Sequence, residues 1–454
     1  MGRLSEEPTR KEVLTFVASS ASYGNLGLFV GAGFSKAVLN ETLTDKIALS
    51  WGELLKKAAK KMHVDYASIG KTGASYPEIA SAICADRSKS KDEPFATSLR
   101  QLKSEIARLT SWYPSPEQRT KYSAYLQAFS PSWIVTTNYD LLIEALLTGT
   151  SIPLGPNDSL SARRGFVPVF HLHGVRTNPK EIIIAQEDYI TLFRPSEYRQ
   201  MKLALTIKES TTLFLGYGLG DVNVLTALDW SRNVFKGRHE EYPHDVVQII
   251  RNRKPRESPY RAKPGIVVVE TAELSDFFEE FADARTERKE LEEGEKRTLR
   301  RLARKLSSAD SSMVERFIDD GAYRTKTLKL VARFSIYLVA DFILFLDTCI
   351  AETWRRSNPR GAFAGYNQNL TIILDTLTEF DFERFPPALF QTAAENLQRV
   401  ARFVGGSIGQ SYAANKTWEN RKGQLSTEIV SELLNVAKQY GYGELRDLLK
   451  SARN

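Results

Sequence analysis

The chain has 454 residues, 42% hydrophobic and 26% charged, which is the profile of a folded globular protein and excludes a disordered or fibrous one. With 62 Lys and Arg against 55 Asp and Glu the net charge is +7, too thinly spread to announce nucleic acid as a partner. Cys84 and Cys349 are the only cysteines, which excludes a disulfide framework and a four-thiolate zinc site and points to a reducing cytoplasm.

The opening residues mix charges without the apolar stretch that a signal peptide needs, so none is expected. An amphipathic segment with Val13, Leu14, Phe16 and Val17 leads into Leu26–Val30, a first buried strand, and then into the glycine turn Gly31-Ala-Gly-Phe-Ser35. Ser50-Trp-Gly-Glu53 has the spacing of a capping box and opens a helical insertion that runs to about residue 125, with a break at Tyr76-Pro77. Trp133–Thr137 is a β-branched second strand, and Asn138-Tyr-Asp140 sits at its end before a helix with Leu141, Leu142, Ile143 and Leu146. The arrangement recurs at Val167–His173 with Gly174 and at Thr212–Leu215 with Gly216-Tyr-Gly-Leu-Gly-Asp221. Val246–Ile250 and Ile266–Val269 read as the last strands. Apolar strands alternating with helices predict an α/β fold, a Rossmann-type parallel sheet with a helical insertion, whose ligands bind at the carboxyl ends of the strands.

From about Phe277 the pattern is helical only, beginning with the charged run Arg285–Lys305 and its sparse stripe of Leu291, Leu299, Leu302 and Leu306. The expected division is an α/β domain at 1–284 and an all-α domain at 285–454, the second carrying 27 basic against 22 acidic side chains. The most apolar window, Val331–Ile350, contains Arg333, Asp341 and Asp347, whose burial in hydrocarbon costs several kcal/mol each, so it reads as a core helix and no membrane partner is expected.

Each turn, taken alone, has two readings. Gly31 and Gly33 let backbone N–H groups approach a phosphate, or they make a tight turn. Asp221 accepts from ribose hydroxyls, or it caps a helix. Asn138 and Asp140 face a ligand, or they serve the turn. His171 and His173 alternate along a strand, so only one looks into a cleft, and His173 with Gly174 after it is the better candidate. The loop with Arg251, Arg253, Lys254, Arg256, Arg261 and Lys263 is a solvated surface or a phosphate site, which leaves direct nucleic acid binding open.

The conjunction is more specific than any part of it. GAGFS, TTNYD, HLHG and GYGLGD occur in this order, each at the end of a strand, and the combination resembles the sirtuin superfamily over about residues 10–285. More narrowly it resembles the sirtuin-like NAD hydrolases of bacterial antiphage defence, including the branch associated with HerA. The resemblance implies catalytic roles for Asn138, which would hold the ribose and the attacking water, and for His173. It implies NAD+ binding by Gly31, Ala32, Gly33, Phe34 and Ser35, by Thr137 and Asp140, and by Gly216, Tyr217, Gly218 and Asp221, with Asp140 ordering the loop that bears Asn138.

The departures from the deacylating sirtuins are informative. Lys36-Ala-Val-Leu-Asn40 stands where those proteins carry a proline-aspartate-phenylalanine-arginine segment, Thr137 stands in place of a glutamine, and their zinc cysteines have no counterpart. The implied reaction is therefore loss of nicotinamide from the ribose anomeric carbon to water. Nicotinamide is a cationic leaving group that needs no strong acid, and a histidine, with its ordinary pKa near 6.5, can act as the base at neutral pH. The expected activity is NAD+ hydrolysis to nicotinamide and ADP-ribose, starving an infected cell. The alternatives are an NAD-dependent protein deacylase and a non-catalytic module that senses ADP-ribose or a dinucleotide. Restraint of such an activity implies a homo-oligomer and an activator, whether a HerA-like ATPase, a short Argonaute or a phage protein.

Overall fold

Leu26–Val30 buries all five of its residues and forms the centre of an eight-stranded sheet. The structure is a computed structural model and describes residues 4–40, 47–69, 73–159, 161–192, 198–218, 222–233, 245–262, 266–358 and 363–450. Its strands are β1 (Leu26–Val30), β2 (Trp133–Thr136), β3 (Ser151–Leu154), β4 (Val167–His171), β5 (Thr211–Leu215), β6 (Val246–Arg251), β7 (Tyr260–Ala262) and β8 (Ile266–Thr271). They lie in the order β3-β4-β2-β1-β5-β6-β8-β7, and only the β7–β8 pair is antiparallel. β1, β2, β5 and β8 are buried along their whole length, which is why they read as unbroken apolar runs and not as alternating ones.

Two edge strands escape a reading by hydrophobic pattern. β3 is Ser-Ile-Pro-Leu and half-exposed, with a proline that an edge strand tolerates. β7 is three residues inside the basic loop, so part of that loop is a strand paired with β8. Lys263 lies outside the described residues.

The topology places the site. From β1 the chain passes through the helical insertion to β2, goes out to the edge strand β3, comes back to β4 between β3 and β2, and then crosses to the other side of β1 for β5, β6 and β8. The strand order thus reverses around β1, the switch point at which open α/β sheets form a crevice. Val30 is level with Thr136 and Leu215, and Thr136 with His171, so the carboxyl ends of β1, β2, β4 and β5 share one rim.

The insertion has a core of its own. Helices Trp51–Lys61, Tyr76–Lys91 and Phe95–Leu109 pack Leu55, Ile83, Leu102 and Ile106 against Tyr139 and Ile184. The Tyr76-Pro77 break is a helix start, where Glu78 accepts from the Ser75 N–H at 2.7 Å. Helix Pro116–Phe129 returns to the sheet and sets Tyr122 and Phe129 against Phe278.

The chain divides into two compact units, residues 1–292 and 293–454. The second is helical and closes around Phe317, Leu338, Phe342, Phe345, Leu397 and Trp418. Arg324, 5% exposed, is paired at 2.5 Å with Asp375 and donates to the carbonyls of Phe317 and Ile318, so its buried charge is matched. The window Val331–Ile350 is not one helix: it breaks at Phe334, between Gly321–Arg333 and Ser335–Arg356. Among the described residues no helix is long and apolar enough to cross a membrane. Each cysteine is buried in the core of its own unit, and burial pushes each thiol up to about 12, leaving neither as a ready thiolate.

Candidate active site

A cavity of about 530 Å³ opens at the shared rim of β1, β2, β4 and β5. Its floor comes from the turns that end these strands: Ala32 and Gly33, Thr137 to Asp140, His173, and Gly216 to Gly218. Three of the four motifs that the sequence spaces over nearly 190 residues therefore meet the fourth in one place.

Asn138 is held from several sides. Its N–H donates to Thr136 Oγ1 at 3.0 Å, and the Thr136 hydroxyl in turn donates to the Val30 carbonyl at 2.8 Å, tying the β2 turn to β1. Its Nδ2 donates to Ser35 Oγ at 3.0 Å, and the Ser35 hydroxyl donates to Asp140 Oδ2 at 3.1 Å. Asp140 also accepts from the Leu142 N–H at 3.1 Å, in the turn just ahead of the short helix Leu142–Leu146. Burial pushes the Asp140 carboxyl up, against the pull of Leu142 and Ser35. The relay from Asp140 through Ser35 to Asn138 spans more than 100 residues of chain and fixes the amide that faces the cavity.

His173 stands in a turn, not on a strand, because β4 ends at His171. Gly174 adopts φ +86°, and a Cβ there would lie 2.5 Å from the Glu181 carbonyl oxygen, so glycine is required directly after His173. The Ile183 N–H donates to the His173 carbonyl at 2.8 Å, and the Tyr189 hydroxyl lies 3.3 Å from Nε2. The ring, 3% exposed, lines the cavity. His171 points elsewhere: its Nδ1 is 3.0 Å from the Asn138 carbonyl oxygen and its Nε2 is 2.7 Å from Glu144 Oε1.

The glycine turns correct one expectation. The Gly31 N–H donates to the Leu215 carbonyl and the Gly33 N–H to the Gly216 carbonyl, so both donors are spent on the β5 turn and not held out for a phosphate. Gly216 has φ +58°, and a Cβ on it would lie 2.2 Å from the Phe34 nitrogen, while one on Gly33 would lie 2.6 Å from the Gly216 oxygen. These glycines allow two turns to touch through their backbones, which brings Ala32, Gly33 and Tyr217 to the same floor. Phe34, expected among the binding residues, is instead 1% exposed and packs against Tyr122 and Phe278. Ser35 braces Asn138 from behind and Gly31 lies beneath the turn, and neither belongs to the lining. Tyr217 lines the cavity with its ring against Phe29 at 4.8 Å, and its carbonyl accepts from Gln248. Asp221 lies outside the described residues.

The far wall was not legible in the sequence. Trp51 and Tyr76, 5.2 Å apart at their ring centres, and Trp112 come from the helical insertion, and Trp51 lies 6.1 Å from the His173 ring. Lys36 also lines the cavity, paired at 3.2 Å with Glu53. Hydrogen bonds from Ser50 and the nearby Lys36 hold the Glu53 carboxyl down at about 2. The capping box marks where this helix starts, but only its packing turns Trp51 toward the cavity. Aromatic faces and a cation over a polar floor suit a ligand with flat rings and anionic groups.

Residues 132–269 match the SIR2-like domain family. The matched stretch runs from β2 to β8 and contains Asn138, His173 and the Gly216 turn, while β1, the GAGFS turn, the insertion and the C-terminal unit lie outside it. It supports a sirtuin-like, NAD-related function on a Rossmann-like fold. No curated protein matches the chain.

Proposed function

We propose that the protein is an NAD+ glycohydrolase that cleaves NAD+ to nicotinamide and ADP-ribose. The observation that carries this reading is the convergence of Asn138 and His173 on one aromatic-walled cavity at the switch point of the sheet. In the proposed reaction the bond between the ribose C1′ and the nicotinamide nitrogen breaks, its electron pair leaves with neutral nicotinamide, and a water oxygen bonds to C1′. His173 takes the proton that the water loses, and the Asn138 amide, fixed by Ser35, orients the water or the ribose hydroxyls. Lys36 and the floor at Ala32 and Gly218 are proposed to receive the pyrophosphate, Gly33 serving only to let the turns meet beneath it, and the rings of Trp51, Tyr76 and Trp112 to cover the bases and exclude water.

The absent zinc cysteines and the altered segment Lys36–Asn40 after Ser35 are what rank hydrolysis above deacylation. The biological setting we propose is antiphage defence by NAD+ depletion in the cytoplasm, with the protein assembled as a homo-oligomer and switched on by a partner, a HerA-like ATPase before a short Argonaute or a phage protein. Incubation with NAD+, with and without an acetyl-lysine peptide, tests the reading. Nicotinamide and ADP-ribose should accumulate at the same rate in both. Nicotinamide release that requires the peptide and yields O-acetyl-ADP-ribose would establish the deacylase instead, and tight ADP-ribose binding without any turnover would establish the sensor.

A further inference from the structure

His171 is 1% exposed and stands outside the cavity, yet both of its ring nitrogens face oxygen atoms. Nδ1 lies 3.0 Å from the Asn138 main-chain carbonyl, which has no proton to give. Nε2 lies 2.7 Å from a carboxylate oxygen of Glu144, the short distance of a charge-assisted bond. A neutral imidazole carries one N–H and one lone pair, so it can serve one of these acceptors only and must turn its lone pair on the other. Only the imidazolium donates to both.

We infer that His171 is an imidazolium clamp, a positioning residue that holds the Asn138 peptide against the end of β4 and so sets the amide for NAD+ cleavage. The inference rests on the NAD+ glycohydrolase reading for its effect on turnover, but not for the charge state of the ring. Burial opposes the charge, while Glu144, the Asn138 carbonyl and the nearby Asp140 favour it more strongly, and the imidazole pKa rises above its ordinary value. The charged groups facing it are Glu144 on the helix Leu142–Leu146 and Asp140 in the turn before that helix. Because the pKa is raised, the clamp is complete at lower pH and is lost as pH rises through the folded-state value, which lies above that of a free imidazole. A neutral ring then keeps either Glu144 or Asn138, and the loop loosens.

Glu144→Gln gives the decisive variant. Its side-chain NH₂ can donate to Nε2 while Nδ1–H still donates to Asn138, so a neutral His171 satisfies both contacts at every pH. Nicotinamide release by wild type should therefore fall on the alkaline side, and Glu144→Gln should retain activity while that alkaline limb disappears. His171→Phe should lower kcat about 10- to 100-fold, as misplacement of a positioned group does, with a smaller change in KM. Superimposable pH profiles of wild type and Glu144→Gln would overturn the clamp, as would an undiminished kcat in His171→Phe. Nitrogen-15 spectra of the histidine rings, with the His171 signal assigned by its loss in His171→Phe, read the charge without substrate. A ring that stays doubly protonated to a higher pH than a free imidazole supports the inference, and one that loses its proton at or below the free value overturns it. Two protonated nitrogens in a protein that never releases nicotinamide would refute the glycohydrolase reading alone.

Discussion

At the scale of single residues the site is organised around Asn138, whose main-chain N–H, side-chain amide and carbonyl each have a separate partner, in Thr136, Ser35 and His171. A side chain held in this way loses little freedom when a ligand arrives, and this preorganisation is where a positioned amide gains its catalytic effect. His173 is fixed through its backbone and its ring wall, and its Nε2 faces Tyr189. Replacing either side chain removes one functional group without disturbing the sheet. We expect Asn138→Ala or His173→Ala to lower NAD+ hydrolysis by at least ~10²-fold while circular dichroism and the unfolding midpoint stay close to wild type. Full hydrolytic activity in both folded variants would refute the site. GAGFS and GYGLGD were each legible as a glycine turn at a strand end. That the Gly31 and Gly33 N–H groups donate to carbonyls at the end of β5 was not, because the hydrogen bonds cross from residue 33 to residue 216.

At the scale of elements the helical insertion is what distinguishes this cavity from a bare strand-end crevice. Helix Trp51–Lys61 begins with a reciprocal cap, in which the Ser50 N–H donates to Glu53 at 2.6 Å, and this sets Trp51 at its first turn. Its inner face, with Leu54, Leu55, Ala58 and Ala59, is buried in the insertion's own core, so the aromatic wall stands on a rigid support. Aromatic contact of this kind contributes about 0.5–1.5 kcal/mol beyond area burial, so Trp51→Ala should weaken ADP-ribose binding by about tenfold, as isothermal titration would show. Unchanged affinity would remove the insertion from the binding site. The helix start was readable from Ser50 and Glu53 because capping is local. The direction of Trp51 was not, since it depends on how the helix packs.

At the scale of the whole molecule the C-terminal unit presents an unusual helix. Ser335–Arg356 buries Leu338, Phe342, Phe345, Leu346 and Cys349 on one side, while Ile336, Tyr337 and Leu344 on the other are 66–69% exposed. Exposed apolar side chains gathered on the outer face of a helix are a surface suited to association, and we propose a second copy of the chain as what covers it. Ile336 and Leu344 lie four residues either side of Ala340, so these two exposed side chains are related by a two-fold axis through that position. An antiparallel second copy would set Ile336 against Leu344 across a two-fold axis at Ala340, with Tyr337 beside them, the self-matching contact that an isologous dimer requires. Mass measurement in solution at micromolar protein should therefore give an oligomer, and Leu344→Lys should shift it toward monomer without unfolding. A wild-type monomer with full NAD+ hydrolysis and no partner would defeat the proposal of control by assembly.

The order of strands and the turn at the end of each follow from the sequence alone, since a buried parallel strand must be a short apolar run and must stop where glycine, asparagine or histidine turns the chain. Leu26–Val30, Trp133–Thr136, Thr211–Leu215 and Ile266–Thr271 were all readable for that reason. The edge strands Ser151–Leu154 and Tyr260–Ala262 were not, because a half-exposed edge carries no apolar run. Only the tertiary structure decided which strands stand beside β1, and hence that the turns of β1, β2, β4 and β5 meet. It also decided that Phe34 belongs to the core, that Ser35 and Asp140 brace Asn138, that Trp51 and Tyr76 wall the cavity, and that His171 faces two oxygens. Each of these depends on contacts between residues distant in the chain, and such contacts leave no periodic or local signature for a sequence to display.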